Sequence, residues 1–173
     1  MSNWYMLTLV GRDRPGIVAE VTNSLFEAGC QLGEASMMRL GGNFTVMLMV
    51  QSDSDQATLE SMLQEKYSKT DLRLHFDPIE GHLHEHIIPD VTVSVYGADR
   101  PGIVAEVTHV LQRHNFHILD LESDVAGTDV KPIYIMHIDG KSETDIETLD
   151  KEMAKLREDG IDVKVAPVDI LVG

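Results

Sequence analysis

Polar and apolar residues alternate cleanly at the start of the second half of the chain. Val91, Val93 and Val95 fall on one side and Thr92 and Ser94 on the other, the period of a half-buried strand. Residues 6–10 hold the matching place in the first half. The period then lengthens: Ile17, Val18, Val21 and Leu25, and again Ile103, Val104, Val107 and Leu111, follow the spacing of a helix that buries one stripe. Pro15 and Pro101 stand where a first helical position tolerates a missing N–H, and Asp13 and Asp99, two residues earlier, are placed to cap the first turn. Gly29 and Asn115 end these helices, because both residue types accept left-handed backbone. Two strands follow, broken at Gly41-Gly42 in the first half and around residues 127–131 in the second; those after the breaks are expected at 44–50 and 133–138. Second helices carry Leu59, Met62, Leu63 and Tyr67, or Ile146, Leu149, Met153 and Leu156. Thr144 and Glu147 have the spacing of a capping box, Gly160 stops the later helix, and final strands are expected at 72–76 and 163–168.

The two halves are copies of one unit. From Gly11 to Leu25 and from Gly97 to Leu111, 12 of the 15 positions match, and residues 13–22 recur unchanged as residues 99–108. The expected organisation is a first domain over residues 1–77, a linker over 78–89 and a second domain over 90–173. The order βαββαβ, with right-handed crossovers, gives an α+β fold: two ferredoxin-like domains, each a four-stranded antiparallel sheet with two helices on one face. That order leaves the second and fourth strands at the sheet edges, open to pairing with another domain or to a homodimer.

Composition narrows the function. Lys plus Arg is 14 against 29 Asp plus Glu, a net charge of −15, and neither half is basic. A nucleic-acid binder needs cations to neutralise phosphates, so direct nucleic-acid binding is disfavoured. The apolar runs are strand-sized, short of the ~20 residues of a membrane span, and the N-terminus lacks a signal-peptide pattern. The single cysteine, Cys30, rules out an intrachain disulfide framework and reads as a small buried hydrophobe. These features point to the cytoplasm.

The repeated loop carries the candidate chemistry. A helix N-terminus offers unpaired N–H groups and a partial positive charge, suited to a carboxylate. Gly16 and Gly102 leave the backbone open to a ligand, and Asp13 and Asp99 can receive an ammonium group. The plainer alternative is that Asp caps, Pro starts the helix and Gly packs closely. Capping alone tolerates Ser, Thr or Asn, so retention of the whole block in both copies favours binding.

With the βαββαβ order and a first loop reading Gly-x-Asp-Arg-Pro-Gly-Ile-Val, each copy resembles an ACT domain. Two such copies filling nearly the whole chain resemble the glycine cleavage system transcriptional repressor family. The resemblance implies paired sheets that bind a small amino acid where the first loop of one domain faces the second strand of its neighbour. Carried onto this chain, the ligand meets Asp13, Arg14, Gly16, Ile17 and Val18 in one copy and Asp99, Arg100, Gly102, Ile103 and Val104 in the other. Ser36, Met37, Ser123 and Asp124 lie in the facing region. The resemblance further implies control of transcription through a protein partner, a separate DNA-binding activator.

Other constellations are weaker. His82, His84, Glu85 and His86, with His75 and Asp77 nearby, have metal-ligand types at close spacing but no cysteine pair, so neither a metal nor a cofactor is expected. Met37, Met38, Met47 and Met49 read as core and sheet-face packing that also suits a domain interface. His109, His114, His117 and His137 are scattered without a catalytic pairing. An amino-acid-sensing regulator is the leading reading, and a regulatory subunit or interaction module for an amino-acid metabolic enzyme is the second. An acylphosphatase-like enzyme using Arg14 and Asn43 is the third, since one fold hosts many functions.

Overall fold

The computed structural model describes residues 2–80, 87–128, 131–158 and 160–168. The chain divides into two compact units, Met1–His84 and Glu85–Gly173, and each is taken by itself. Unit 1 runs β1 (Asn3–Arg12), α1 (Ile17–Glu27), β2 (Gln31–Leu40), β3 (Asn43–Ser52), α2 (Gln56–Tyr67) and β4 (Arg73–Ile79). Unit 2 runs β5 (Val91–Ala98), α3 (Ile103–Arg113), β6 (His117–Thr128), β7 (Lys131–Lys141), α4 (Ile146–Glu158) and β8 (Ile161–Pro167). The sheets have strand orders β2-β3-β1-β4 and β6-β7-β5-β8, antiparallel throughout, so the second and fourth strands of each unit are the edges. Among the described residues, no helix is long and apolar enough to cross a membrane.

Each sheet buries one face against its two helices. In unit 1 alternate residues of β1 and β3 (Tyr5, Leu7 and Leu9; Val46, Leu48 and Val50) pack with Ile17, Val21 and Leu25 of α1 and Leu59, Leu63 and Tyr67 of α2. Unit 2 repeats the scheme with Val91, Val93 and Val95, Val107 and Leu111, and Leu149 and Met153. Two glycines at positive φ, Gly41 at 56° and Gly42 at 75°, make the tight β2–β3 turn, the backbone geometry that matches strand twist. The β6–β7 hairpin instead carries two further pairs, Gly127 with Pro132 and Thr128 with Lys131, beyond Ala126 and Ile133. Gly29 (φ 72°) and Asn115 (φ 51°) follow α1 and α3 in left-handed backbone, as expected.

Several local expectations change. Val18 and Val104 do not join the buried stripe; they are 45% and 39% exposed. In α1 the buried place goes to Ser24, whose hydroxyl meets the Tyr67 hydroxyl at 2.9 Å. The cap of α4 is Asp145, which accepts from the Thr148 N–H at 2.9 Å, while the Thr144 hydroxyl donates to the His114 carbonyl. Asp55 caps α2 in the same way through the Thr58 N–H at 2.8 Å. Met37, Met38 and Met47 are not core residues but about half exposed. The strand register puts Met38 and Met47 on the sheet face away from the helices, opposite Thr45 and Ser36. Cys30 is buried, as expected.

Among the differences between the two cores is one paired exchange. Cys30 and Val50 of unit 1 stand where unit 2 has Phe116 and Gly140. A Cβ added to Gly140 would lie 2.1 Å from the Phe116 ring and 2.4 Å from the His117 carbonyl oxygen. The missing side chain on β7 therefore makes room for the phenyl ring. Gly140→Val should lower stability by about 1–3 kcal/mol through overpacking, and Phe116→Cys by about 2–4 kcal/mol through a cavity. The double substitution should cost clearly less than the two added together. Urea denaturation of the three variants measures this coupling, and strict additivity would refute the exchange.

Candidate functional site

The loops from β1 to α1 and from β5 to α3 turn on glycine. Gly16 (φ 91°) and Gly102 (φ 98°) are the residues immediately before the helices, in left-handed backbone that L side chains rarely adopt. Pro15 and Pro101 thus precede the helices and are not their first residues. Asp13 does not cap α1, and neither α1 nor α3 has a side-chain cap. The Asp13 carboxylate pairs with Arg39 of β2, and its N–H donates to the Gly42 carbonyl at 3.1 Å. The first-turn amides of α1 and α3, which have no carbonyl one turn back, are left without a capping oxygen.

Arg14 gives both of its terminal nitrogens to the carboxylate of Glu20, at 2.8 and 2.7 Å, and Arg100 does the same to Glu106 at the same two distances. Hydrogen bonding to the arginine, then its charge, holds both carboxyls below their ordinary value of 4.5; partial desolvation opposes this. These glutamates lie over the loop glycines, with Glu106 Oε1 3.4 Å from where a Gly102 Cβ would be. The fork-on-fork geometry fixes the arginine plane as well as its position. Sequence reasoning did not single out Glu20 or Glu106, although both stand inside the unchanged block.

All five residues expected in the first copy, Asp13, Arg14, Gly16, Ile17 and Val18, line one cavity of about 470 Å³. Its far wall is Met37 of β2 and Phe44 of β3. Met37 lies opposite Val46, on the helix side of the sheet, whereas Ser36 lies opposite Met47 on the other side. In the second copy only Asp99 of the expected five lines a cavity of about 650 Å³, with Tyr96, Pro132, Ile133 and Asp162 among its other walls. Ile103 is in the core, and Arg100 and Gly102 shape the loop. Ser123, opposite Met136, takes the place of Met37, and Asp124, opposite Ile135, is on the open face.

The residues of the rival readings are also placed. Asn43 donates its amide to the Gly41 carbonyl at 3.3 Å, and Arg14 is committed to Glu20. His75 Nε2 lies 3.0 Å from Asp77 Oδ1; His82, His84, Glu85 and His86 lie outside the described residues. His137 is less isolated than its spacing suggests, since its Nδ1 is 3.2 Å from the Ser94 hydroxyl across the β5–β7 pair. Among the described residues no carboxylate hydrogen-bonds that ring.

The ACT domain model matches residues 5–77 and 90–166. The glycine cleavage system transcriptional repressor of Escherichia coli is 26% identical over 137 residues, covering 79% of this chain and 72% of that protein. A UPF0237 protein of Methanocaldococcus jannaschii is 38% identical over 81 residues, 46% of this chain and 89% of its own length, so it is about one unit long. The crystal structure of an unknown protein from Galdieria sulphuraria shares the fold over 97% of this chain and 99% of its own (TM-score 0.73, 22% identity). A structure described provisionally as a glycine cleavage system transcriptional repressor matches over the same shares with TM-score 0.67 and 21% identity.

Gly16→Ala and Gly102→Ala should each destabilise by about 1–2 kcal/mol, because alanine is strained at that φ; chemical denaturation reads the loss. The arginine pairs add an acid-sensitive part. Glu20 and Glu106 have folded-state values below the unfolded 4.5, so their contribution is complete above about that pH. It is lost as pH falls through the lowered values. Melting temperature against pH should therefore fall less steeply below pH 4.5 in Glu20→Gln/Glu106→Gln than in the parent; parallel curves would show the pairs to be inert.

Proposed function

Since this chain belongs to the ACT domain family, we propose that it is an amino-acid-sensing regulatory protein that binds a small amino acid beside the Asp-Arg-Pro-Gly loop and acts on transcription through a protein partner. The observation that carries this reading is the cavity of unit 1, where Asp13, Arg14, Gly16, Ile17 and Val18 converge. The uncapped first turn supplies N–H donors and a partial positive charge for a carboxylate. Ile17, Met37 and Phe44 supply apolar walls for a short side chain. The four charges at the loop cancel in two pairs, Asp13 with Arg39 and Arg14 with Glu20. A neutral site of alternating sign suits a zwitterion better than a net ion. Relatedness to the E. coli repressor supports the transcriptional arm. The net charge of −15 supports a protein rather than a nucleic-acid partner.

Size limits the affinity. A ligand of five heavy atoms such as glycine gains at most about 1.5 kcal/mol per atom, a ceiling of ~7.5 kcal/mol and a low-micromolar dissociation constant. Such a site tracks a metabolite pool and releases its ligand readily.

A thermal-shift panel of the twenty amino acids at millimolar concentration tests the proposal. The cognate amino acid at 100 times its dissociation constant should add about 2.7 kcal/mol of stability. Asp13→Asn and Gly16→Ala should reduce that shift, since one breaks the charge pair and the other moves the first-turn amides. A panel in which no amino acid stabilises the chain would overturn the sensor, and pull-down of a biosynthetic enzyme without a transcription factor would move the role to a regulatory subunit.

A further inference from the structure

The two copies keep the same loop but not what faces it. Arg39 lies opposite Phe44, two residues before the Val46 that pairs with Leu9; Val125 lies opposite Tyr134, two residues before the Met136 that pairs with Val95. Arg39 and Val125 therefore hold equivalent positions. In unit 1 the arginine neutralises Asp13. In unit 2 an exposed valine stands there instead, and the edge strand brings Asp99 no cation at that position.

The surroundings of Asp99 differ accordingly. It lines a cavity of about 650 Å³ with Asp162, and Tyr96, Pro132 and Ile133 form apolar walls. Tyr96, Ile133 and Asp162 belong to the sheet face turned away from the helices, since Tyr96 pairs with Asp162 and Ile133 with Ala98. Among the described residues, none of those lining this cavity is Lys or Arg. Two carboxylates beside an aromatic ring and apolar walls attract a cation and repel an anion. The apolar area is gained only by a ligand with a hydrocarbon body, and a tyrosine face adds attraction for an ammonium group.

We propose that the two copies have diverged into unlike sites, and that unit 2 takes an organic ammonium compound with an apolar body in the cavity between Asp99 and Asp162. Unit 1, with Asp13 held by Arg39, does not take it. This extends the reading above, because Asp99 belongs to the loop assigned there, but the two fail separately: the amine test uses no amino acid and reads unit 2 alone.

The ¹⁵N-labelled full chain is titrated with phenethylammonium chloride and, at matched ionic strength, with sodium 3-phenylpropanoate. The expected result is saturable shifts of the amides of Tyr96, Gly97, Ala98, Asp99 and Ile133 with the ammonium compound only. Asp99→Asn should weaken binding about threefold or more, as loss of a partly exposed charge contact does. Val125→Arg should do the same by reproducing the Arg39–Asp13 pair; the position is exposed on an edge strand, and an unchanged spread of the remaining amide signals checks that the variant is folded. Absence of saturation, equal response to the carboxylate, shifts centred on residues 13–19, or affinity unchanged in both variants would each overturn the proposal.

Discussion

The loop glycine at the head of α1 and α3 is the constraint on which the rest of the site depends. Backbone at φ 91° and 98° turns each chain sharply from strand into helix. A left-handed glycine there also means that no Ser, Thr, Asp or Asn side chain covers the first-turn amides. In unit 1 the aspartate three residues earlier is freed to meet β2, and in both units the arginine two residues earlier folds over the helix start onto Glu20 or Glu106. A side-chain cap would take up one of the first-turn donors and stand in the way of a ligand. The geometry that costs the loop a cap thus gives it a face.

Much of this was legible in the chain because it is local and periodic. The clean alternation of Val91, Val93 and Val95, the helical stripe from Ile17 to Leu25 and the repeated block were enough for the element order, the antiparallel sheets and their edges. Gly29, Asn115 and Gly160 marked helix ends through a backbone preference that sequence exposes directly. The five loop residues of unit 1 are close in sequence and line one cavity, but of the identical five in unit 2 only Asp99 lines the cavity of about 650 Å³, so the turn alone does not decide the gathering.

What stayed hidden depends on register and side-chain direction. Asp13 meets Arg39 only because the β2–β3 hairpin folds back over the loop, and no sequence spacing announces that pair. Arg14 and Glu20 are six residues apart, outside the three- and four-residue spacings that mark neighbours on a helix. Met37 and Ser36 differ by one residue yet lie on opposite faces of the sheet, so placing either needs the pairing with β3. Ser94 and His137 meet across two strands for the same reason. In α4, Thr144 and Asp145 both have capping chemistry, and the choice between them turns on which residue ends the extended backbone.

Two units with one fold and near-identical first loops risk mistaking each other's strands while the chain is still folding. The Phe116–Gly140 exchange works against that confusion. A hybrid sheet that put β3 in place of β7 would drive the Val50 side chain into the Phe116 ring, and the reverse hybrid would leave a void beside Cys30 where Val50 belongs. Either chimera would carry a clash or a void that the correctly sorted pair lacks, a mismatch that weighs against exchanging β3 and β7 between tandem copies.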